Sequence, residues 1–333
     1  MTRINLLILL LFSNCLLSCE AQTNVKKMTD ADLKNPMFCT PEQGACAMPN
    51  AGGAPANTNT MAKTKPVRII YFTDPICSSC WGIEPQLRKL KLEYADFVEI
   101  EYHMGGLLPS WDIYNSGGIS KPSDVAHHWD EVSVYYDMPI DGDVWLEDPL
   151  PSSYPPSIAF KAAQRQDGTK ALLFLRKIRE MVFLEKKNIT KWEYLSTAAT
   201  AVGLDTATLK KDYDATAKQD FQADLDLGKK LGVRGFPTLF FTDSTNNRLT
   251  IYGTKPYASF ENAIQSLCPD AVKKTIDTDW QDLFAHYPTL TAKEFSVLSN
   301  LPRPEAEKVL NDLSEKHLLN KFGTKNGAIW RKK

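Results

Sequence analysis

Val67-Arg-Ile-Ile-Tyr-Phe-Thr73, followed at once by Asp74-Pro-Ile-Cys-Ser-Ser-Cys-Trp-Gly82, decides how this chain is read. The first run is β-branched and aromatic, the composition of a buried strand. Asp74-Pro75 breaks it. From Ser78 to Phe97 the apolar residues Trp81, Leu87, Leu90 and Tyr94 fall at helical spacing, with Pro85 expected to kink the helix. Val98-Glu-Ile-Glu-Tyr-His-Met104 then alternates at period two, which predicts a second strand. Strand, helix and strand in this order form a βαβ unit with a parallel pair.

Cys77 and Cys80 lie where that helix begins. A thiolate is the nucleophile in thiol chemistry, and the unpaired N–H groups and partial positive charge of a helix N-terminus stabilise it. Cys77 is therefore expected to ionise below the free-thiol value of ~8.5. A spacing of three brings both sulfurs onto one turn, close enough for a disulfide. Cys80, one turn in, is expected to be the more buried. Cys77 attacks and Cys80 resolves. Zinc would need four ligands, and neither a second CxxC nor a nearby Cys/His pair completes the set, so no metal is expected.

Working outward, the stretch from about Ser123 to Leu231 reads almost entirely as helix, with breaks at Pro155-Pro156, Asp167-Gly168, Asn188 and Gly203. Strand patterns return at Thr238–Thr242 and Arg248–Tyr252, followed by a helix from about Ser259 to Leu267. This is an α/β domain interrupted by helices. The tail suggests helices at Thr291–Leu298 and Pro304–Lys316 and a short strand at Ala328–Trp330. Val309, Leu310, Leu313, Leu318 and Leu319 supply the apolar face of the second helix.

Asp74-Pro-Ile-Cys-Ser-Ser-Cys-Trp-Gly82, Met104-Gly-Gly-Leu-Leu-Pro109 and Gly232-Val-Arg-Gly-Phe-Pro-Thr238 together resemble the motifs of DsbA-family thioredoxin-fold proteins, particularly the FrnE-like and YjbH-like branch. The resemblance covers roughly residues 66 to 268, in motif order. It implies a thioredoxin fold with a helical-domain insertion, and a cis-proline at Pro237 opposite the cysteines. A cis Phe236-Pro237 bond would expose backbone groups of Phe236 for pairing with an extended substrate. Ser78-Ser79 contains neither His nor Pro, so the dipeptide gives no side-chain help to the Cys77 thiolate, and an intermediate reduction potential is expected.

Other residues admit two roles each. Asp74 either relays protons to Cys80 or caps the helix. Trp81 and Phe236 either rim the sulfurs and position substrate, or are core aromatics. Cys39 and Cys46 form either a local disulfide loop, favoured by Pro41 and Gly44, or a second redox pair relaying to the main site. Cys268 is left as a buried or half-buried free thiol.

At the N-terminus Arg3, an apolar run from Leu6 to Phe12 and then small and polar residues follow the grammar of an export signal. Leu16-Leu17-Ser18-Cys19 resembles the bacterial lipoprotein processing box, which implies lipid on Cys19. Such a chain is exported to the bacterial cell envelope as a membrane-anchored lipoprotein facing the periplasm, an oxidising space. The expected organisation is a signal over 1–18, a flexible tether over 19–65, a split thioredoxin domain over 66–106 and 232–270, an inserted helical domain over 107–231, and a winged-helix-like module over 271–333.

With 39 Lys+Arg against 40 Asp+Glu, net charge gives no reason to seek nucleic acid. The tail carries a local basic excess, but behind an export signal DNA is out of reach. A protein-contacting or structural role fits the tail better. The function expected is thiol-disulfide oxidoreductase on protein cysteines. Its partners would be cysteine-containing substrates, a redox partner protein and the membrane through the lipid, with no cofactor. Two alternatives stand beside it. One is an adaptor of the YjbH type that delivers a client to a protease, and the other is a glutathione-dependent small-molecule isomerase of the same fold.

Overall fold

The computed structural model describes residues 39–40, 45–47, 65–114 and 119–333. The expected signal and Cys19 lie outside the described residues. In chain order the elements begin with the short strands β1 (Cys39–Thr40) and β2 (Ala45–Ala47), then β3 (Val67–Thr73), α1 (Ser78–Gly82), α2 (Glu84–Glu93) and β4 (Val98–Met104). A helical series follows: α3 (Pro122–Tyr136), α4 (Val144–Glu147), α5 (Tyr154–Gln166), α6 (Gly168–Phe183), α7 (Trp192–Ala201), α8 (Thr206–Asp214) and α9 (Ala217–Leu231). Then come β5 (Gly235–Phe236), β6 (Thr238–Thr242), β7 (Arg248–Tyr252) and α10 (Tyr257–Leu267). The chain closes with α11 (Trp280–His286), β8 (Thr289–Thr291), α12 (Ala292–Ser299), α13 (Arg303–Glu315), β9 (Leu319–Thr324) and β10 (Gly327–Lys332).

The main sheet has the order β4-β3-β6-β7. β3 runs parallel to β4, with Tyr71 opposite Tyr102, and antiparallel to β6, with Tyr71 opposite Leu239. β3 is apolar on both faces, with Val67, Ile69 and Tyr71 buried on one and Phe72 on the other. At the edge, β7 exposes Arg248, Leu249 and Thr250. Helices α3 to α9 lie between β4 and β5 in the chain. Asp167 starts α6 by accepting from the backbone N–H groups of Thr169 and Lys170. Gly232, at φ 72, ends α9 in the left-handed conformation and returns the chain to the sheet. The fold is α/β, a thioredoxin-type sheet with a helical insertion and a small C-terminal segment of helices and strands.

Two local expectations are corrected. Pro85 does not kink one helix; α1 ends and α2 begins at Ile83, with Pro85 in the first turn of α2, where its missing N–H costs nothing. The second tail helix stops at Glu315. His317 takes a left-handed φ of 58, and Leu319 opens β9, which pairs antiparallel with β10, Phe322 opposite Ile329. The apolar pair Leu318-Leu319 thus starts a strand instead of lengthening a helix. In the tail, β8, β10 and β9 form a sheet against α12 and α13, around Leu290, Phe295, Leu298, Leu310 and Trp330.

A cysteine pair above a buried carboxyl

The end of β3 delivers Thr73 and Asp74 into a turn, and the turn delivers Cys77 to the start of α1. Cys77 is itself the N-cap, and its Sγ accepts the backbone N–H of Cys80 at 3.1 Å. The capping role expected of Asp74 therefore belongs to Cys77. Cys77 and Cys80 are disulfide-paired, with Cα atoms 5.2 Å apart. Both are fully buried, so the difference in exposure expected between them is absent.

Asp74 is fully buried and holds three donors instead of a cap. Its Oδ1 accepts from Ile76 N–H at 3.0 Å, and its Oδ2 from Leu107 N–H and Ser153 Oγ, both at 2.8 Å. Burial pushes its carboxyl up to about 6, against the opposing pull of these hydrogen bonds and of Arg179. Asp74, three residues before the pair, thus keeps its proton to a higher pH than a free aspartate does.

Arg179 on α6 organises the same strand end. Its guanidinium is buried and reaches Glu84 Oε1 at 2.5 Å, Thr73 Oγ1 at 2.6 Å and the Asp74 carbonyl at 3.2 Å. Reading the sequence missed it. The available signal was a charged residue on the apolar stripe of α6, between Leu175 and Phe183 at helical spacing.

Of the two roles open to Trp81, the structure shows the core aromatic. Trp81 is fully buried, stacks on Phe183 with centroids 5.4 Å apart and lies 4.3 Å from the Arg176 guanidinium carbon. Its Nε1 donates to the Pro139 carbonyl at 3.1 Å. The Phe236 ring is likewise core, lying over Gly105, where no side chain would fit. The Phe236-Pro237 peptide is cis. Phe236 contributes backbone: β5 pairs antiparallel with β2, placing Cys46 opposite Phe236 and Ala47 opposite Gly235. The thiols of Cys39 and Cys46 lie outside what is described.

His103 closes the far end of β4. Its Nδ1 lies 2.7 Å from Asp224 Oδ1, and Asp224 Oδ2 takes Met104 N–H at 2.9 Å and Lys161 at 2.9 Å. Burial alone would lower the His103 pKa, but the bonds to Asp224 and Glu101 outweigh it and raise it. Cys268 is a half-buried free thiol at the end of α10. A cavity of about 500 Å³, lined by Arg88, Lys91, Tyr102, Arg176, Arg179 and Tyr287 among others, includes neither Cys77 nor Cys80.

Against known proteins, a family model described as thioredoxin matches residues 71–262. The ClpXP adapter protein SpxH of Halalkalibacterium halodurans is 33% identical over 303 residues, spanning 90% of this chain and 98% of the relative. SpxH of Shouchella clausii is 30% identical over 296 residues, spanning 88% and 96%. A solved structure from Nitrosomonas europaea, described as a candidate protein disulfide isomerase, superposes with a TM-score of 0.51 at 21% identity. It covers 62% of this chain and 97% of its own, a likeness of fold. With the strand, cysteine pair and cis-proline in place, this chain belongs to the thioredoxin family and is a homologue of the SpxH proteins.

Proposed function

We propose that this chain handles a client protein as an adapter does, holding one protein and bringing it to another. The observation that carries this reading is the extent of the similarity to the ClpXP adapters, which runs through 90% of this chain and so beyond the thioredoxin core. Deleting the gene and quantifying the proteome tests it. A client accumulates on deletion, and a chain carrying Cys77→Ser and Cys80→Ser restores its level. If only the intact cysteines restore it, disulfide turnover is the activity.

That second activity is favoured by a specific observation: both cysteines stand intact at the start of α1, three residues after the buried Asp74 carboxyl. In this reading the chain is a protein thiol-disulfide oxidoreductase. The Cys77 thiolate attacks a client disulfide, forming one S–S bond as a client thiolate leaves. Cys80, giving its proton to Asp74, then attacks the Cys77 sulfur, and the second client thiolate leaves. Two electrons pass to the client, and the reverse sequence donates a disulfide. Lipid on Cys19 and export to the cell envelope, facing the periplasm, would set this chemistry where disulfides persist. Thiol trapping in vivo gives the direction: an oxidised pair donates disulfides, and a reduced pair acts as isomerase or reductase.

A further inference from the structure

We propose that the cavity of about 500 Å³ is a binding site for a small organic anion with an apolar body, its charged group taken by Lys91.

Three parts of the chain wall this cavity. The thioredoxin elements α2 and β4 bring Lys91 and Tyr102, α6 of the insertion brings Leu172 and Leu173, and the C-terminal segment brings Tyr287 and Arg331. Its volume lies within the ~300–1,000 Å³ of small-molecule sites.

Charge decides what the cavity takes. The carboxylates on its wall, Glu84 and Glu180, are both paired already, Glu84 with Arg179 at 2.5 Å and Glu180 with Arg176 at 2.7 Å. On the same wall Arg88 approaches Glu294 at 3.2 Å, and Lys177 meets Glu185 at 2.7 Å. Lys91, Arg331 and Lys332 remain. Among the described residues, their side chains have neither a hydrogen bond nor an ion pair. Lys91 Nζ instead lies 4.8 Å from the centre of the Tyr102 ring. Burial pushes the Lys91 pKa down to about 8, with Glu84 opposing that shift and Arg88 and Arg179 adding to it. A half-buried ammonium on a cavity wall, with no carboxylate of its own, gains more from an incoming anion than it would in open water.

The rest of the wall selects the body of the ligand. Leu172, Leu175 and Val202 line it, and Leu173 is left 39% exposed. An inorganic anion would leave this apolar surface wet. A carboxylate or sulfonate carried on a hydrocarbon or aromatic body covers it. Such a ligand touches all three parts of the fold and binds the folded chain, so it raises the melting temperature.

The test titrates the full chain with anilinonaphthalene sulfonate, followed by fluorescence, and then displaces the dye with decanoate. The expected result is one saturable site, displaced by decanoate but not by decanol, with a melting temperature raised by decanoate. Lys91→Gln should weaken decanoate about tenfold by removing the charge. Leu173→Asp should weaken it by a similar factor, because it sets a like charge on the apolar wall. Lys91 has no bonded partner and Leu173 is exposed, so both variants should fold as the native chain does. Decanoate binding unchanged in both variants, equal competition by decanol, or equal competition by inorganic sulfate would overturn the proposal.

Discussion

Arg176 on α6 holds Glu294 of α12 in a two-pronged ion pair, Nη1 to Oε1 at 2.7 Å and Nη2 to Oε2 at 3.0 Å. Glu294 is fully buried, and Arg88 of α2 approaches its Oε1 at 3.2 Å. One carboxylate thus joins the thioredoxin helix, the insertion and the C-terminal segment. Removing one partner of a buried pair leaves the other charges uncompensated, so Glu294→Gln should cost roughly 3–5 kcal/mol, read as a lower urea midpoint. Burial alone would raise the Glu294 pKa, but Arg176 and Arg88 hold it below its ordinary 4.5. Its stabilisation is therefore present above pH 4.5 and lost as pH falls through the folded value, and the variant should lose that part of the acid sensitivity.

Asp74 has the opposite sign. Its carboxyl is pushed up to about 6 from 3.8, so the folded chain binds this proton more tightly than the unfolded chain. Its contribution to stability is full below pH 3.8 and lost as pH rises through 6. A shift of this size corresponds to roughly 3 kcal/mol. Urea titrations should show the stability of the native chain falling by about that much relative to Asp74→Asn between pH 4 and pH 7. Parallel curves for the two proteins would place the titration elsewhere.

Gly105 is tested by Gly105→Ala. A Cβ there would stand 1.8 Å from Phe236 Cζ and 2.0 Å from its Cε1, and the ring is buried with no open side to turn into. Overpacking of this kind costs about 1–3 kcal/mol. The melting temperature should fall, and adding Phe236→Leu should recover part of the loss by removing the far ring atoms.

Trp81→Phe separates packing from client contact. Phenylalanine keeps an aromatic face toward Phe183 but loses the Nε1 bond, leaving the Pro139 carbonyl without that donor. The cost should be about 1–3 kcal/mol in denaturant unfolding, with client binding unchanged. Weakened binding at full stability would return Trp81 to the rim.

Elements with their own local pattern were legible. β3, β4, β6 and β7 lie where alternation and branched residues put them, and the spacing of three between Cys77 and Cys80 matches the disulfide they form. What escaped depends on partners distant in the chain. Arg176 and Glu294 are 118 residues apart, and a charged residue that will be buried looks like any other until its counter-charge arrives. Asp74 looked like a cap because Leu107 and Ser153, which claim its oxygens, come from other segments. β2 and β5 are too short to show any periodicity. Leu318-Leu319 was read at the helical period because nothing nearby reveals the pairing with β10.

The pairing of Tyr71 with Leu239 also sets a schedule for biogenesis. The strand that leads into the cysteines acquires β6 only after the whole helical series has been made. A chain emerging at ~5–20 residues per second leaves Cys77 and Cys80 without that cover for roughly ten to thirty seconds. Their first redox state is therefore written by the surroundings through which the nascent chain passes, before the finished protein encloses them.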